Sequence, residues 1–233
     1  MIHRPHATTL RPNNAVRWGV THTVAAYLVG LIVGNLLFTL AGGDTSSATT
    51  TVAIHVASVS GLWLGFVGGP LLLTRWLGSG SLRADYGLSI RSIDIPIGIV
   101  AGVVTQILVV PAVSWPIEHL WSVNVDEPAR NLLDATSGPR LILYFIITIA
   151  GPVAEELFFR GLLLRSLARW LNDIGAVTVS ALLFALTHYQ AAQIPGLFVI
   201  GYVLAALTRY SGRLGPAIVA HMAFNATALI LAT

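Results

Sequence analysis

Seven apolar stretches dominate the sequence and restrict the fold that it can adopt. Most of them approach the roughly 20 residues that an α-helix needs to cross the hydrocarbon layer of a membrane. Hydrophobic residues make up 55% of the chain and charged residues only 10%, whereas soluble domains carry about 25% charged residues. The sequence therefore predicts an all-α, polytopic bundle of about seven transmembrane helices. The stretches are 16–40, 52–74, 96–115, 140–165, 174–188, 194–208 and 214–232.

The chain is interpreted as a single membrane domain, 1–233. Residues 1–135 supply N-terminal helices without a diagnostic motif, and the polar residues of interest lie in 140–232. The first apolar stretch is longer than the 7–15 residues of a signal-peptide core. We therefore expect it to be retained as a helix.

The basic residues predict the orientation of the chain. All 13 are arginines, and most of them precede the first apolar stretch or follow the second, fourth and sixth. The positive-inside rule then predicts a cytoplasmic N-terminus and an external C-terminus. The arginines are scattered singly, so no basic patch exists to bind nucleic acid. An arginine-only, alanine-rich composition suggests a bacterial protein, and hence a plasma membrane.

The absence of cysteine narrows the possible chemistry. It excludes a disulfide, a thiol nucleophile and a cysteine metal site. Any metal ion would need histidine and carboxylate ligands.

Two adjacent carboxylates, Glu155 and Glu156, lie inside the fourth apolar stretch. Ionisable residues at membrane depth are costly, and they usually face a bundle interior or a wet cavity where they serve a function. The pair is therefore the first functional-site hypothesis.

Three segments of the C-terminal third each carry a pair of notable side chains spaced i,i+4, which project from one face of a helix. In an antiparallel hairpin about the polar turn near Asn172, Glu155 and His188 would lie at the same level, since they are 17 and 16 residues from it. We expect the three segments to bring acid and imidazole groups to a similar depth. The pairs are Glu156 with Arg160, Phe184 with His188, and His221 with Asn225.

Structural roles account for some of these residues. Glu156 and Arg160 are expected to form a buried ion pair that supports the site, because buried charges need partners. Phe184 is expected to pack. Glu155 has no such local partner and is the better catalytic candidate.

The ordered motifs Glu155-Glu156-x-x-x-Arg160, Phe184-x-x-x-His188 and His221-x-x-x-Asn225 resemble the signature of the CPBP family, which includes CAAX prenyl endopeptidases and bacteriocin-processing or abortive-infection proteins. The resemblance covers residues 140–230. It implies an intramembrane endopeptidase in which Glu155 activates a water, helped by His188. His221 and Asn225 would stabilise the oxyanion of the tetrahedral intermediate.

Family members are often described as metalloproteases, and Glu155, His188 and His221 have the composition of a catalytic zinc site. However, the sequence lacks the His-Glu-x-x-His helix that would supply two ligands and a separate base. We favour a mechanism without a cofactor, and Zn²⁺ remains the alternative.

The expected partners are the lipid bilayer and a membrane-associated or lipid-anchored peptide or protein, prenylated or not. Two other functions stay open. One is a non-catalytic membrane scaffold, such as a bacteriocin-immunity protein, although no motif position is lost here. The other is a proton-coupled transporter, although the motifs occur only once and show no inverted repeat.

Overall fold

The computed structural model describes residues 10, 16–47, 49–121, 125, 130, 132–134 and 136–232. This part of the chain is mainly helical. Its helices are α1 (Val20–Leu40), α2 (Val52–Leu77), α3 (Leu82–Tyr86), α4 (Asp94–Leu120), α5 (Arg140–Leu167), α6 (Asp173–Leu186), α7 (Ala191–Ser211) and α8 (Gly215–Ala232).

Six of the described helices are long and apolar enough to cross a membrane: α1, α2, α4, α5, α7 and α8. This confirms the predicted all-α polytopic bundle. The remaining apolar stretch, 174–188, forms α6, which has 14 residues. At 1.5 Å per residue a helix of this length measures about 21 Å, less than the roughly 30 Å of a hydrocarbon core. The helix ends at Leu186, so His188 lies beyond α6 and not within it.

Several long helices contain π-helical turns, which are rare in proteins and occur frequently at functional sites. In α5 one such turn, Leu157–Leu163, follows the two glutamates directly. Another turn of α5 is Ile146–Ala150, and α4 has one at Thr105–Val109. The π-helical turns thus adjoin the polar residues of these two helices.

The second half of α5 forms the centre of the bundle. Every residue from Leu157 to Ser166 is buried. Other helices contact this segment by ring stacking and hydrogen bonds. The Phe158 ring stacks on Phe66 of α2 at 4.4 Å, and the Ser166 hydroxyl lies 3.1 Å from that of Thr23 in α1. Side chains from the middle of α5 therefore face protein and not lipid.

Glycines allow α4 to lie directly against α8. A Cβ atom on Gly98 would come within 2.6 Å of the Val219 side chain, and one on Gly102 within 2.8 Å of the Phe224 nitrogen. Small residues permit such close backbone approach between membrane helices. Because the contact moves up both helices together, α4 and α8 run parallel.

The arginine-bearing connections meet at one end of the bundle. There the Asp94 carboxylate accepts hydrogen bonds from Arg213 and raises the pKa of that guanidinium above its ordinary value. Further contacts join the segment before α1, the connections after α2 and α5, and the turn between α7 and α8. They are Arg17 N to Leu77 O, Arg169 to Val16 O, Arg165 to Gly212 O, and Arg209 to Asp173.

The alternate connections meet at the opposite end. A short parallel pair of strands, β1 (Thr50–Thr51) and β2 (Thr136–Ser137), joins the segments before α2 and α5, with Thr50 opposite Thr136. Gln193, in the first turn of α7, donates to the Val125 carbonyl at 2.7 Å. The two sets of connections therefore lie on opposite sides of the apolar helices.

Candidate active site

Glu156 is the most deeply buried acid of the predicted site, and its side chain has no solvent exposure. Its Oε1 accepts a hydrogen bond from Arg160 Nη1 at 2.8 Å, so the expected ion pair is present. The same oxygen lies 2.9 Å from His221 Nδ1. Glu156 therefore connects α5 to α8 as well as to its own helix.

Arg160 joins three helices. Its Nη2 donates to the Gly201 carbonyl of α7 at 3.0 Å. Its guanidinium carbon lies 4.4 Å from the ring centroid of Phe184 in α6, a geometry in which a cation is attracted to the ring face. Arg160 thus contacts both Glu156 and Phe184.

Glu155 differs from its neighbour in lacking a direct partner. Its side chain is 26% exposed. The buried Oε2 has no hydrogen bond to any described residue, and it lies 3.8 Å from His221 Nε2. That separation is too long for a direct hydrogen bond, and a bound molecule could bridge such a pair. Glu155 therefore presents a free carboxylate oxygen to the site.

His221 lies between the two carboxylates. Since a carboxylate only accepts hydrogen bonds, Nδ1 carries the proton in the contact with Glu156. In the neutral ring Nε2, on the side of Glu155, is then an acceptor. In the doubly protonated ring Nε2 also donates.

His188 is held by the end of α6. Its Nδ1 lies 2.8 Å from the Phe184 carbonyl oxygen, to which it donates, and this leaves Nε2 as an acceptor in the neutral ring. Tyr189, the next residue, has a φ of 56°, a left-handed conformation that is uncommon for residues other than glycine. The chain thus turns away from the helix directly after His188.

Phe184 contacts both imidazoles of the site. It is buried, and its ring meets those of His188 and His221 edge to face, with centroids 4.8 and 5.6 Å apart. It therefore limits the orientations open to both imidazoles.

Asn225 lies one helical turn beyond His221 on α8. Its Nδ2 donates to the Ile147 carbonyl of α5 at 2.8 Å, and Ile147 belongs to the π-helical turn Ile146–Ala150. One N–H of the amide remains available.

A cavity of about 590 Å³ adjoins these groups, and both His188 and Asn225 line it. Its volume falls in the range of small-molecule sites, roughly 300–1,000 Å³. The wall comes from α4, α5, α7, α8 and the connections between them. Imidazole and amide groups from the second and third motifs therefore line the same open cavity.

The donor set does not form a metal site as it stands. Within the described ranges, no group of three or more His, Cys, Asp or Glu side chains could hold a metal ion. His221 directs Nδ1 to Glu156, and His188 directs Nδ1 to a backbone carbonyl. We therefore derive no step through zinc.

The structure brings the predicted residues into one connected cluster, with Glu155, Glu156, Arg160, Phe184, His188 and His221 linked through direct or near contacts and Asn225 beside the cavity. Sequence reasoning missed the carbonyls of Gly201 and Ile147, because backbone acceptors carry no sequence signal. It also missed Gln106 in the cavity wall, although a single amide in the apolar stretch 96–115 was a usable signal.

Comparison with known proteins supports the motif assignment. Residues 137–227 match the family model described as type II CAAX prenyl endopeptidase Rce1-like. The membrane-embedded CAAX protease MroQ of Staphylococcus aureus (strain USA300) is 33% identical over 95 residues, which are 38% of this chain and 38% of that protein. The similarity thus spans well under half the length of that relative. No solved structure matches the chain.

The matched segment contains all three motifs and every residue of the cluster described above. The similarity to the Rce1-like family thus covers residues 137–227.

Proposed function

We propose that the protein is an intramembrane endopeptidase in which Glu155 activates a water to hydrolyse a peptide bond of a membrane-associated or lipid-anchored substrate. One observation carries this proposal: among the described residues, Glu155 Oε2 is buried without a hydrogen bond and lies 3.8 Å from His221 Nε2. Glu156 Oε2 is likewise unpaired, but Glu156 Oε1 is held by Arg160 and His221, whereas no hydrogen bond to a described residue holds Glu155. Glu155 Oε2 is therefore suited to hold the attacking water.

The reaction requires a base for that water. Glu155 accepts one proton while the water oxygen forms a bond to the carbonyl carbon of the substrate. When the tetrahedral intermediate collapses, the C–N bond breaks and the leaving amine takes a proton from Glu155. His188 Nε2, a free acceptor in the neutral ring, helps to orient the water.

The intermediate carries negative charge on the former carbonyl oxygen. The free N–H of Asn225 is one donor for this oxyanion, because the other N–H is held by Ile147. His221 Nε2 is a second donor when the ring is doubly protonated. Donors held in place by the fold need no reorganisation during the reaction, and each is worth about 10²–10³ in rate.

Glu156, Arg160 and Phe184 are assigned to positioning. Glu156 fixes the ring of His221, while Phe184 packs against both imidazoles. Arg160 balances the charge of Glu156, and neither side chain is exposed to solvent. None of the three needs to contact the substrate in this scheme.

The substrate class is proposed from the site and from one relative. MroQ is named a CAAX protease, and a cavity between membrane helices suits a lipid-anchored peptide. We propose a peptide segment of a membrane-associated protein as the substrate, and treat its prenylation as a variable of the test.

The test is hydrolysis of matched prenylated and unprenylated peptides by detergent-purified protein, with Glu155→Gln as the comparison. We expect the wild type to cleave and the variant to be inactive with an unchanged melting temperature. Cleavage at the wild-type rate by Glu155→Gln would refute the role of Glu155. A folded wild type that cleaves none of the peptides would refute the endopeptidase and favour the scaffold.

We also propose that the N-terminus is cytoplasmic in a bacterial plasma membrane. The support is that the arginine-bearing connections meet at one end of the bundle, which is the pattern of the positive-inside rule. The chain has no cysteine, so single cysteines can be labelled selectively. In intact bacteria an impermeant maleimide should label Thr45→Cys and not Ser92→Cys, and the reverse pattern would refute the orientation.

A further inference from the structure

We propose that Gln106 and Ser114 of α4 bind the peptide backbone of the substrate within the cavity beside His188 and Asn225. The inference rests on the proposed endopeptidase function and concerns residues outside the segment matched to the family. Gln106, Val110 and Ser114 all line this cavity. At intervals of four residues they form one stripe along a single face of α4.

The packing of α4 against α8 determines the level at which Gln106 lies. Gly98 of α4 meets Val219 and Gly102 meets Phe224, so successive turns of the two parallel helices stay side by side. The next turn of α4 carries Gln106. The corresponding turn of α8 carries Asn225 and Ala228, which also line the cavity. Gln106 therefore lies near the level of the proposed oxyanion donor.

The Gln106 amide forms no side-chain hydrogen bond within the described segments, whereas the neighbouring Thr105 hydroxyl donates to the Ala101 carbonyl. Gln106 is partly buried and lines the cavity. Its donors and acceptor are available to whatever occupies the cavity. Gln106 also belongs to the π-helical turn Thr105–Val109.

Ser114 provides a second polar group on the same stripe. The residue is buried, with 3% exposure, and its hydroxyl forms no hydrogen bond within the part of the chain that the structure describes. Eight residues separate it from Gln106, a distance of about 12 Å along a helix. An extended peptide advances about 3.3 Å per residue. The stripe therefore spans three to four residues of an extended chain by this estimate.

The chemistry of the wall indicates which segment fits. An amide offers both a donor and an acceptor, as each peptide unit of an extended backbone does. The described lining contains no Asp, Glu, Lys or Arg, and many of its side chains are aliphatic. We therefore expect an extended, uncharged peptide segment next to the scissile bond.

The experiment measures KM and kcat separately for a peptide that the wild type cleaves, using Gln106→Met, Ser114→Ala and the control Leu108→Ala. Met keeps the length of Gln and removes its polar atoms. Leu108 lies on α4 with 62% exposure and is not part of the cavity wall. We expect Gln106→Met to raise KM about tenfold, equivalent to about 1.4 kcal/mol, with kcat changed less and the melting temperature not lowered. Ser114→Ala should raise KM less, and Leu108→Ala should leave it unchanged.

Substrate length gives a second readout. Two series of peptides are compared, each shortened to two residues on a different side of the scissile bond. In one of the two series, the effect of Ser114→Ala on KM should be lost and that of Gln106→Met kept. A purely structural role would lower the melting temperature and would not depend on peptide length. Wild-type KM in both variants would overturn this inference and leave the endopeptidase intact. A wild type that cleaves no peptide would overturn both.

Discussion

His221 Nδ1 lies 2.9 Å from Glu156 Oε1, in a hydrogen bond that joins α8 to the buried centre of α5. The same carboxylate oxygen accepts from Arg160. A residue assigned to support and a residue assigned to catalysis therefore share one contact. This contact holds the His221 ring with Nε2 on the side of Glu155.

Glu155→Gln removes the proposed base with little change in shape. We expect peptide hydrolysis to fall by about 10²–10⁴, the usual contribution of general acid–base catalysis. Single-turnover hydrolysis and thermal unfolding in detergent measure the two properties separately. Because Glu155 Oε2 has no hydrogen-bond partner among the described residues, the unfolding temperature should stay the same. A large drop in that temperature would indicate a structural carboxylate instead.

Arg160→Met leaves Glu156 as a buried carboxylate without its cation. We expect a loss of about 3–5 kcal/mol in the free energy of unfolding, since breaking a buried pair strands one charge. The double variant Glu156→Gln with Arg160→Met removes that charge and should regain part of the loss. Unfolding in detergent compares the two. If the double variant is no more stable than the single one, charge is not what makes Arg160 necessary.

Glu156→Leu should impair activity as well as stability, because it removes the oxygen that accepts from both Arg160 and His221. We expect kcat to fall more than KM rises. Single-turnover kinetics and unfolding in detergent measure the two effects separately. A variant with wild-type kcat would show that the contact with Glu156 is not needed to orient His221.

Asn225→Ala removes one proposed oxyanion donor. We expect kcat to fall by about 10²–10³, with a smaller change in KM, because the interaction is made in the transition state. Thr227→Val on the same helix is a matched control, since the Thr227 hydroxyl donates only to the Ala223 carbonyl. Equal losses in the two variants would assign the effect to the packing of α8.

Gly102→Ala tests the close approach of α4 and α8. The new methyl group would press on the Ala220 carbonyl and come within 2.8 Å of the Phe224 nitrogen, so we expect a loss of about 1–3 kcal/mol in stability from overpacking. Gly68→Ala is the control, because a Cβ at that helical position meets nothing within 4 Å. Equal melting temperatures in the two variants would contradict the close packing.

Much of the architecture could be predicted because the bilayer imposes a simple length rule on apolar segments. The prediction was least complete for 174–188, where α6 ends at Leu186 and His188 lies beyond it. The apolar run ends at Leu186, where the polar residues Thr187 and His188 follow, and the prediction extended the segment past that point to include His188. The backbone turns at Tyr189, in a conformation that composition does not encode.

The sequence predicted the candidate site residues, because charged and imidazole groups are rare in apolar segments, where they are costly. It also predicted the ion pair of Glu156 with Arg160, since four residues of one helix suffice to bring them together. The folded structure was needed to show that His221 binds Glu156, that Gly201 and Ile147 supply carbonyl acceptors, and that Gln106 lines the cavity. These contacts depend on how the helices are aligned along one another. The close approach of glycines helps to set that alignment, and the spacing of residues within one helix does not reveal it.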